Sequence, residues 1–210
     1  MKHILFALVI TSTFISCKNH SPNSNAPGQD TGIVANAADS TGADADSSHT
    51  FFPVADFIGG QVKMVDSLQL PISKYITVNR KTTPLPATDA EFRALAAAFR
   101  QPDINDPALR KFYKESSYAD QSIPSIVFSY TTTDPMPEIR KIDVIISPDP
   151  AKNDKVKTIY MEKQRESGDT IIRQKLYWKV NHNFMIVTEK QVGKTLLPAQ
   201  QVKMVWDPTE

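Results

Sequence analysis

At Pro124 the spacing of apolar residues changes, and no other feature of the chain restricts its fold as much. Before that proline the apolar positions recur with the period of a helix, about 3.6 residues. Val54, Phe57, Ile58, Gln61 and Val65 share one stripe between Val54 and Ser67, although Gly59 and Gly60 are weak helix formers. Phe92, Leu95, Ala96 and Phe99 fall at i, i+3, i+4 and i+7 behind Thr88 and Glu91, which have the spacing of a capping box. Asp106-Pro107 supplies an N-cap and a first-turn proline for a short third helix, with Leu109, Phe112 and Tyr113 on one side. Tyr75 to Val78 reads as a brief strand leading into a proline-containing loop.

After Pro124 the period becomes 2. Ile126, Phe128 and Tyr130 alternate in one run, and Ile142, Val144 and Ile146 in the next. Further strands are expected over Val156 to Gln164, Thr170 to Val180, Phe184 to Lys190 and Val202 to Trp206. Helices followed by a run of strands predict an α+β domain, with N-terminal helices packed on a curved antiparallel meander. In element order this resembles the half-barrel of lipoprotein carriers, and also the cone-shaped cystatin-like and nuclear-transport-factor-like folds. Such likeness implies architecture and not activity.

One hairpin can be read in more detail. Ile172, Leu176, Trp178 and Val180 share one face of their strand, and Arg173, Lys175, Tyr177 and Lys179 share the other. Setting Ile159 and Met161 against the apolar face predicts the loop Arg165-Glu166-Ser167-Gly168, with Gln164 across from Asp169. A slip of one residue would bury the lysines. The next strand, Phe184-Met185-Ile186-Val187, is apolar on both faces and is expected to be central and covered on both sides. The pentapeptide Gln61-Val62-Lys63-Met64-Val65 recurs at Gln201 to Val205, once in a helical and once in a strand context. Five residues are too few for a repeat architecture.

The inventory of reactive side chains is thin. Of the four histidines, His3 lies in the leader, His20 and His49 in or beside the tether described below, and only His182 lies in the domain, in the turn Asn181-His182-Asn183. With no cysteine in the domain either, the common zinc sites lack ligands, and no cofactor is expected. Ser-His-Asp or Cys-His catalysis has at most one surface histidine to use. Gly193-Lys194-Thr195 ends like a phosphate-binding loop, but Thr188 stands where its first glycine belongs. Carboxylate chemistry would need two of Glu115, Asp120, Asp143 and Glu162 to converge, and Glu115 and Asp120 flank Ser116-Ser117-Tyr118 in the connection between the helices and the sheet, where a cleft is expected. A carboxylate-dependent hydrolase acting on an envelope glycan or similar substrate is therefore the alternative reading. Tyr160, Arg173, Lys175, Tyr177 and Lys179 form the candidate binding patch, because the hairpin register places aromatics and cations on one outward face. Its expected partners are a lipid, a glycan or an envelope protein.

The N-terminus bears on location. Lys2 and His3 precede the apolar run Ile4 to Ile10, which is shorter than the roughly 20 residues that span a bilayer. Residues 1–16 read as a signal peptide. Its end, Phe14-Ile15-Ser16-Cys17, resembles the lipobox of bacterial lipoproteins and departs from it at Phe14, where leucine is usual. The resemblance implies that Cys17 is the lipid attachment site, acylated after cleavage before it. As the chain has 1 cysteine, an intrachain disulfide is excluded. Residues 17–48 are rich in Ser, Asn, Asp, Ala and Gly and predict a disordered tether with a reach of about 30 Å. The tether holds Lys18 against Asp30, Asp39, Asp44 and Asp46. The single domain over 49–210 therefore carries a small positive balance within a chain of net charge +1, too little to recruit nucleic acid.

Phe51-Phe52-Pro53-Val54, Gly60-Gln61, Lys157 to Met161 and Leu176-Tyr177-Trp178 resemble a group of uncharacterised lipoproteins of Bacteroidota, across most of the domain. That likeness implies the cell envelope and brings no motif of known function. Lys18-Asn19-His20-Ser21, without early acidic residues, implies an outer-membrane anchor facing the periplasm. Asp39-Ser40-Thr41, Asp66-Ser67-Leu68 and Asp169-Thr170-Ile171 resemble the O-glycosylation sequon of that phylum. Replacing Cys17 with serine is expected to release the chain from membranes without unfolding the domain, as read by fractionation and circular dichroism. Retention in the membrane fraction would refute the anchor.

Overall fold

Each helix is placed by a local device that the sequence carries. The first, α1 (Val54–Ser67), follows Pro53 and buries Val54, Ile58, Val62 and Val65 on one stripe. The second, α2 (Asp89–Ala96), starts at a complete capping box. The Thr88 hydroxyl accepts from the Glu91 amide at 3.2 Å, and the Glu91 carboxylate accepts from the Thr88 amide at 3.2 Å. The apolar stripe continues through a 3₁₀ turn, Ala97–Phe99, which carries the buried Phe99. The third, α3 (Pro107–Arg110), is capped by Asp106, whose side chain accepts from the Ala108 amide at 2.8 Å. None of the helices among the described residues is long and apolar enough to cross a membrane.

The computed structural model describes residues 50–120, 122, 124–148 and 155–207. The expected signal peptide, Cys17 and the tether lie outside them. Ten strands occur among the described residues: β1 (Ser73–Val78), β2 (Lys81–Pro86), β3 (Lys114–Asp120), β4 (Ser125–Thr131), β5 (Ile139–Ser147), β6 (Lys155–Ser167), β7 (Thr170–Lys179), β8 (Asn183–Val192), β9 (Thr195–Leu196) and β10 (Gln200–Val205). They form one antiparallel sheet in the order β2, β1, β10, β8, β7, β6, β5, β4, β3, with the short β9 against the end of β8. The sheet is not closed into a barrel, and β2 and β3 are its edges. The α+β class with helices on a curved antiparallel sheet is therefore the observed one.

Four expectations change in detail. The proline-containing loop after Val78 is the strand β2, whose Pro84 and Pro86 are tolerated because the strand lies at the edge. The β1–β2 hairpin thus stands between α1 and α2, so helices do not simply precede strands. Residues 114–120, read as a connection, form the opposite edge strand β3; its exposed side chains give it no apolar alternation to detect. In the β6–β7 hairpin Gln164 pairs with Arg173 and not with Asp169, because the turn is the two residues Gly168-Asp169 between Ser167 and Thr170. Gly168 sits there at φ +60, at the first central position, where type II′ turns favour glycine. The partition of faces survives because the register moves by an even number of residues: Ile159 stands opposite Trp178 instead of Gln174, and Met161 opposite Leu176 instead of Ile172. Finally, β8 is interior to the sheet, but only one of its faces is covered: Phe184 and Ile186 are buried, whereas Met185 and Val187 are half-exposed.

The helices pack against the face that carries Leu176 and Trp178, and aromatic rings fill the joint. Trp178 stacks on Phe184 with centroids 5.1 Å apart, and Phe99 meets Trp178 edge-on at 5.1 Å. Phe92 meets Trp206 edge-on at 5.5 Å. Such pairs contribute about 0.5–1.5 kcal/mol each beyond the burial of their area. The recess between Val54, Phe99, Ile142 and Met161 has no volume that admits water. Ion pairs lace the periphery: Arg93 bonds Asp66 at 2.9 Å, linking α2 to α1, and Lys74 bonds Glu91 at 2.6 Å, linking β1 to α2. The Lys74 bond and the Thr88 amide hold the Glu91 carboxyl below its usual range.

Gly60 lies exposed in the interior of α1, and a Cβ built there meets nothing within 4 Å. Gly60→Ala is therefore expected to stabilise the domain by about 0.5–1 kcal/mol, through helix propensity and lower unfolded-state entropy. The check is a higher urea midpoint at unchanged slope.

Candidate binding face

The strands that bury Trp178 and Leu176 turn their alternate residues to the opposite side, and these make a face free of helices. Cross-strand pairing composes it. Asp143 stands opposite Tyr160, Tyr160 opposite Tyr177, Tyr177 opposite Met185, and Met185 opposite Lys203. The neighbouring row runs from Lys141 through Glu162 and Lys175 to Val187. One step further, Gln164, Arg173 and Glu189 are aligned. All five residues of the expected patch, Tyr160, Arg173, Lys175, Tyr177 and Lys179, thus share this face. Arg173 and Lys175 are exposed, and the other three are half-buried.

Two shallow depressions interrupt the face. One, of about 190 Å³, lies among Arg140, Glu162, Arg173, Lys175, Val187 and Glu189. The other, of about 250 Å³, lies among Tyr177, Lys179, Asn183, Met185 and Lys203. The first sets cations and two glutamates around Val187, and the second sets Lys179 and Lys203 beside Tyr177 and Met185. Sequence reading found the β6 and β7 contributions but missed Arg140, Met185, Val187 and Lys203. The exposed apolar face of β8 was the available signal, and it was read as a second buried face.

Hydrogen bonds fix the aromatic side of the patch. The Tyr160 hydroxyl donates to Glu162 at 2.6 Å. Burial pushes the Tyr160 phenol above its usual range, and the hydrogen bond and charge of Glu162 push it further, with Asp143 adding to them. Asp143 is almost buried; it accepts from the Ser129 hydroxyl at 2.7 Å and pairs with Lys141 at 2.9 Å. That bond to Asp143 raises the Lys141 ammonium above its usual range. Arg173 donates to Gln164 at 3.3 Å and to Gln191 at 3.5 Å, so its guanidinium lies along the sheet.

The four candidate carboxylates do not gather. Glu115 and Asp120 stand five residues apart on β3 and therefore point to opposite faces, and the cleft expected beside them is an open sheet edge. Asp143 and Glu162 do share the outer face, but each is held by the neighbours just described. His182 lies at the end of the β7–β8 loop, its Nδ1 3.6 Å from an Asp207 carboxylate oxygen. Among the described residues no group of three or more His, Cys, Asp or Glu side chains is placed to hold a metal ion. Compared with protein-family models, curated proteins and solved structures, the chain matches none of them.

Because the folded state binds the Tyr160 proton more tightly than the unfolded chain does, that contribution to stability is complete below about pH 10 and is lost as pH rises above it. Glu162→Gln is expected to lower the pH at which Tyr160 ionises, while Tyr113, pushed up to about 12 by burial, stays unchanged. Phenolate absorbance during alkaline titration, with Tyr160→Phe to identify the step, is the check.

Proposed function

We propose that this chain is a membrane-tethered, non-catalytic binding or assembly lipoprotein of the cell envelope, anchored through Cys17 and facing the periplasm from the outer membrane. Its domain holds an anionic partner on the outer face of the sheet. The lipobox-like Phe14-Ile15-Ser16-Cys17 supports the anchor, and the tether composition supports a domain held at a distance from the bilayer. The short supply of histidine and cysteine in the domain supports binding over nucleophilic or zinc chemistry.

One observation carries the choice of face. The layer between helices and sheet is filled with aromatic side chains, whereas the depressions open on the outer face, where Arg173, Lys175 and Lys179 stand beside Tyr177 and Met185. A carrier of the half-barrel type needs an apolar cavity between its layers. This arrangement instead favours surface recognition, with cations for an anionic group and a tyrosine and methionine floor for the attached apolar or sugar portion. Acidic headgroups, acidic glycans and acidic protein surfaces all offer that chemistry.

Native mass spectrometry of the chain, released gently from membranes, is expected to reveal bound mass beyond the polypeptide. The charge-reversed chain Arg173→Glu, Lys175→Glu is expected to lose it while keeping its circular dichroism. Bound mass that survives both reversals would move the site off this face. A bare parent chain would refute a tightly held small ligand and leave a protein partner, sought by crosslinking in intact cells.

A further inference from the structure

The two edges of the sheet are built differently. β2 is guarded by Lys81, Pro84 and Pro86, the usual devices against strand addition. β3, with the sequence Lys-Glu-Ser-Ser-Tyr-Ala-Asp, has no proline, pairs with β4 without a register shift over all 7 of its residues, and is exposed from Lys114 to Ala119. Tyr118 is 53% exposed. Its backbone groups on the side away from β4 form a template for another strand, and its charges decide which strand fits.

We infer that β3 pairs antiparallel with β3 of a second copy of this chain, about a two-fold axis that passes through Ser117 perpendicular to the sheet. Such an axis keeps the two outer faces on one side, so only registers pairing residues of like parity are allowed. Of these, the register centred on Ser117 alone uses the whole strand. It sets Lys114 opposite Asp120 at both ends, Ser116 opposite Tyr118 on the outer face, and Glu115 opposite Ala119 on the helix side. No like charges meet. Centring on Ser116 loses both Lys114–Asp120 pairs, and centring on Tyr118 sets the two tyrosines against each other and loses them too. The charges that would repel a random strand therefore select this one. The consequence is a continuous sheet through both protomers, with two cation-aromatic faces presented side by side.

The test uses the full chain with Cys17→Ser, which removes its only thiol. Ser117→Cys in that background places two thiols across the axis, at a Cα separation of about 4.5–5.5 Å that a disulfide can bridge. Mild oxidation is expected to yield a covalent dimer, and Thr82→Cys on the guarded edge is expected to yield none. By sedimentation, Asp120→Lys alone is expected to weaken dimerisation about tenfold, and Lys114→Asp with Asp120→Lys to restore it. A monomeric chain that fails to crosslink at position 117 would overturn the inference. A single reversal without effect would overturn the register.

Discussion

The stacking of Trp178 on Phe184, closed by Phe99 and Trp206, is the contact from which the other placements follow. It joins β7, β8, the 3₁₀ turn and the chain just past β10, which are distant in sequence. Because strands alternate, fixing Trp178 inward also fixes Tyr177 and Lys179 outward. The candidate binding face is thus a by-product of core packing: its side chains keep their spacing only while the aromatic joint holds. The cluster tolerates a cost, since the indole nitrogens of Trp178 and Trp206 are buried without a hydrogen-bond partner among the described residues. Each unmet donor costs about 1–3 kcal/mol, less than the roughly 4–6 kcal/mol that burying its own indole returns.

Strand order turns that local alternation into a surface. β10 lies between β8 and β1, so the C-terminal strand joins the N-terminal hairpin to the meander β3 to β8. Lys203 reaches the face only through this insertion, opposite Met185. The chain entry is docked at the other half of the sheet, where the Phe52 amide donates to the Tyr130 hydroxyl at 3.1 Å and the Phe51 amide to Asn105 at 2.9 Å.

What could be read in advance follows from which signals are local. Capping boxes and apolar period are, and α1, α2 and the β6–β7 faces were legible. The repeated pentapeptide shows how far this goes: in α1 it buries Val62 and Val65 at helical spacing, while in β10 the same residue types bury Met204 on a two-residue alternation. The neighbouring pattern, not the five residues, decides. Register was half legible, because parity depends on burial alone whereas the pairing depends on which residues turn, and Gly168-Asp169 was passed over for a longer loop. Edge strands were not legible. β2 contains prolines and β3 shows no apolar alternation, and an edge strand is defined by backbone pairing that neither feature reports. The site followed the same division: β7 cations were visible, but Met185 and Lys203 became their neighbours only through strand order.

Lys163 marks where the two sides of the sheet cease to be independent. It follows Ile159 and Met161 on the inward face of β6, and its ammonium is almost wholly buried. Its ammonium meets the carbonyl of Gln101, just past the 3₁₀ turn, which accepts from the Lys163 Nζ, and the Glu138 carboxylate at 3.9 Å, just before β5. Burial lowers the Lys163 ammonium below its usual range, and Glu138 only partly offsets it. The charged form is therefore bound less well in the folded state than in the unfolded chain, so this group detracts from stability at neutral pH, and the penalty is relieved as pH rises toward the ordinary lysine range. An apolar residue would avoid that penalty but leave the Gln101 carbonyl without this donor. Since Lys163 also borders the depression containing Arg140 and Arg173, the bond beneath the sheet holds β6 between the two strands, β5 and β7, that carry those cations.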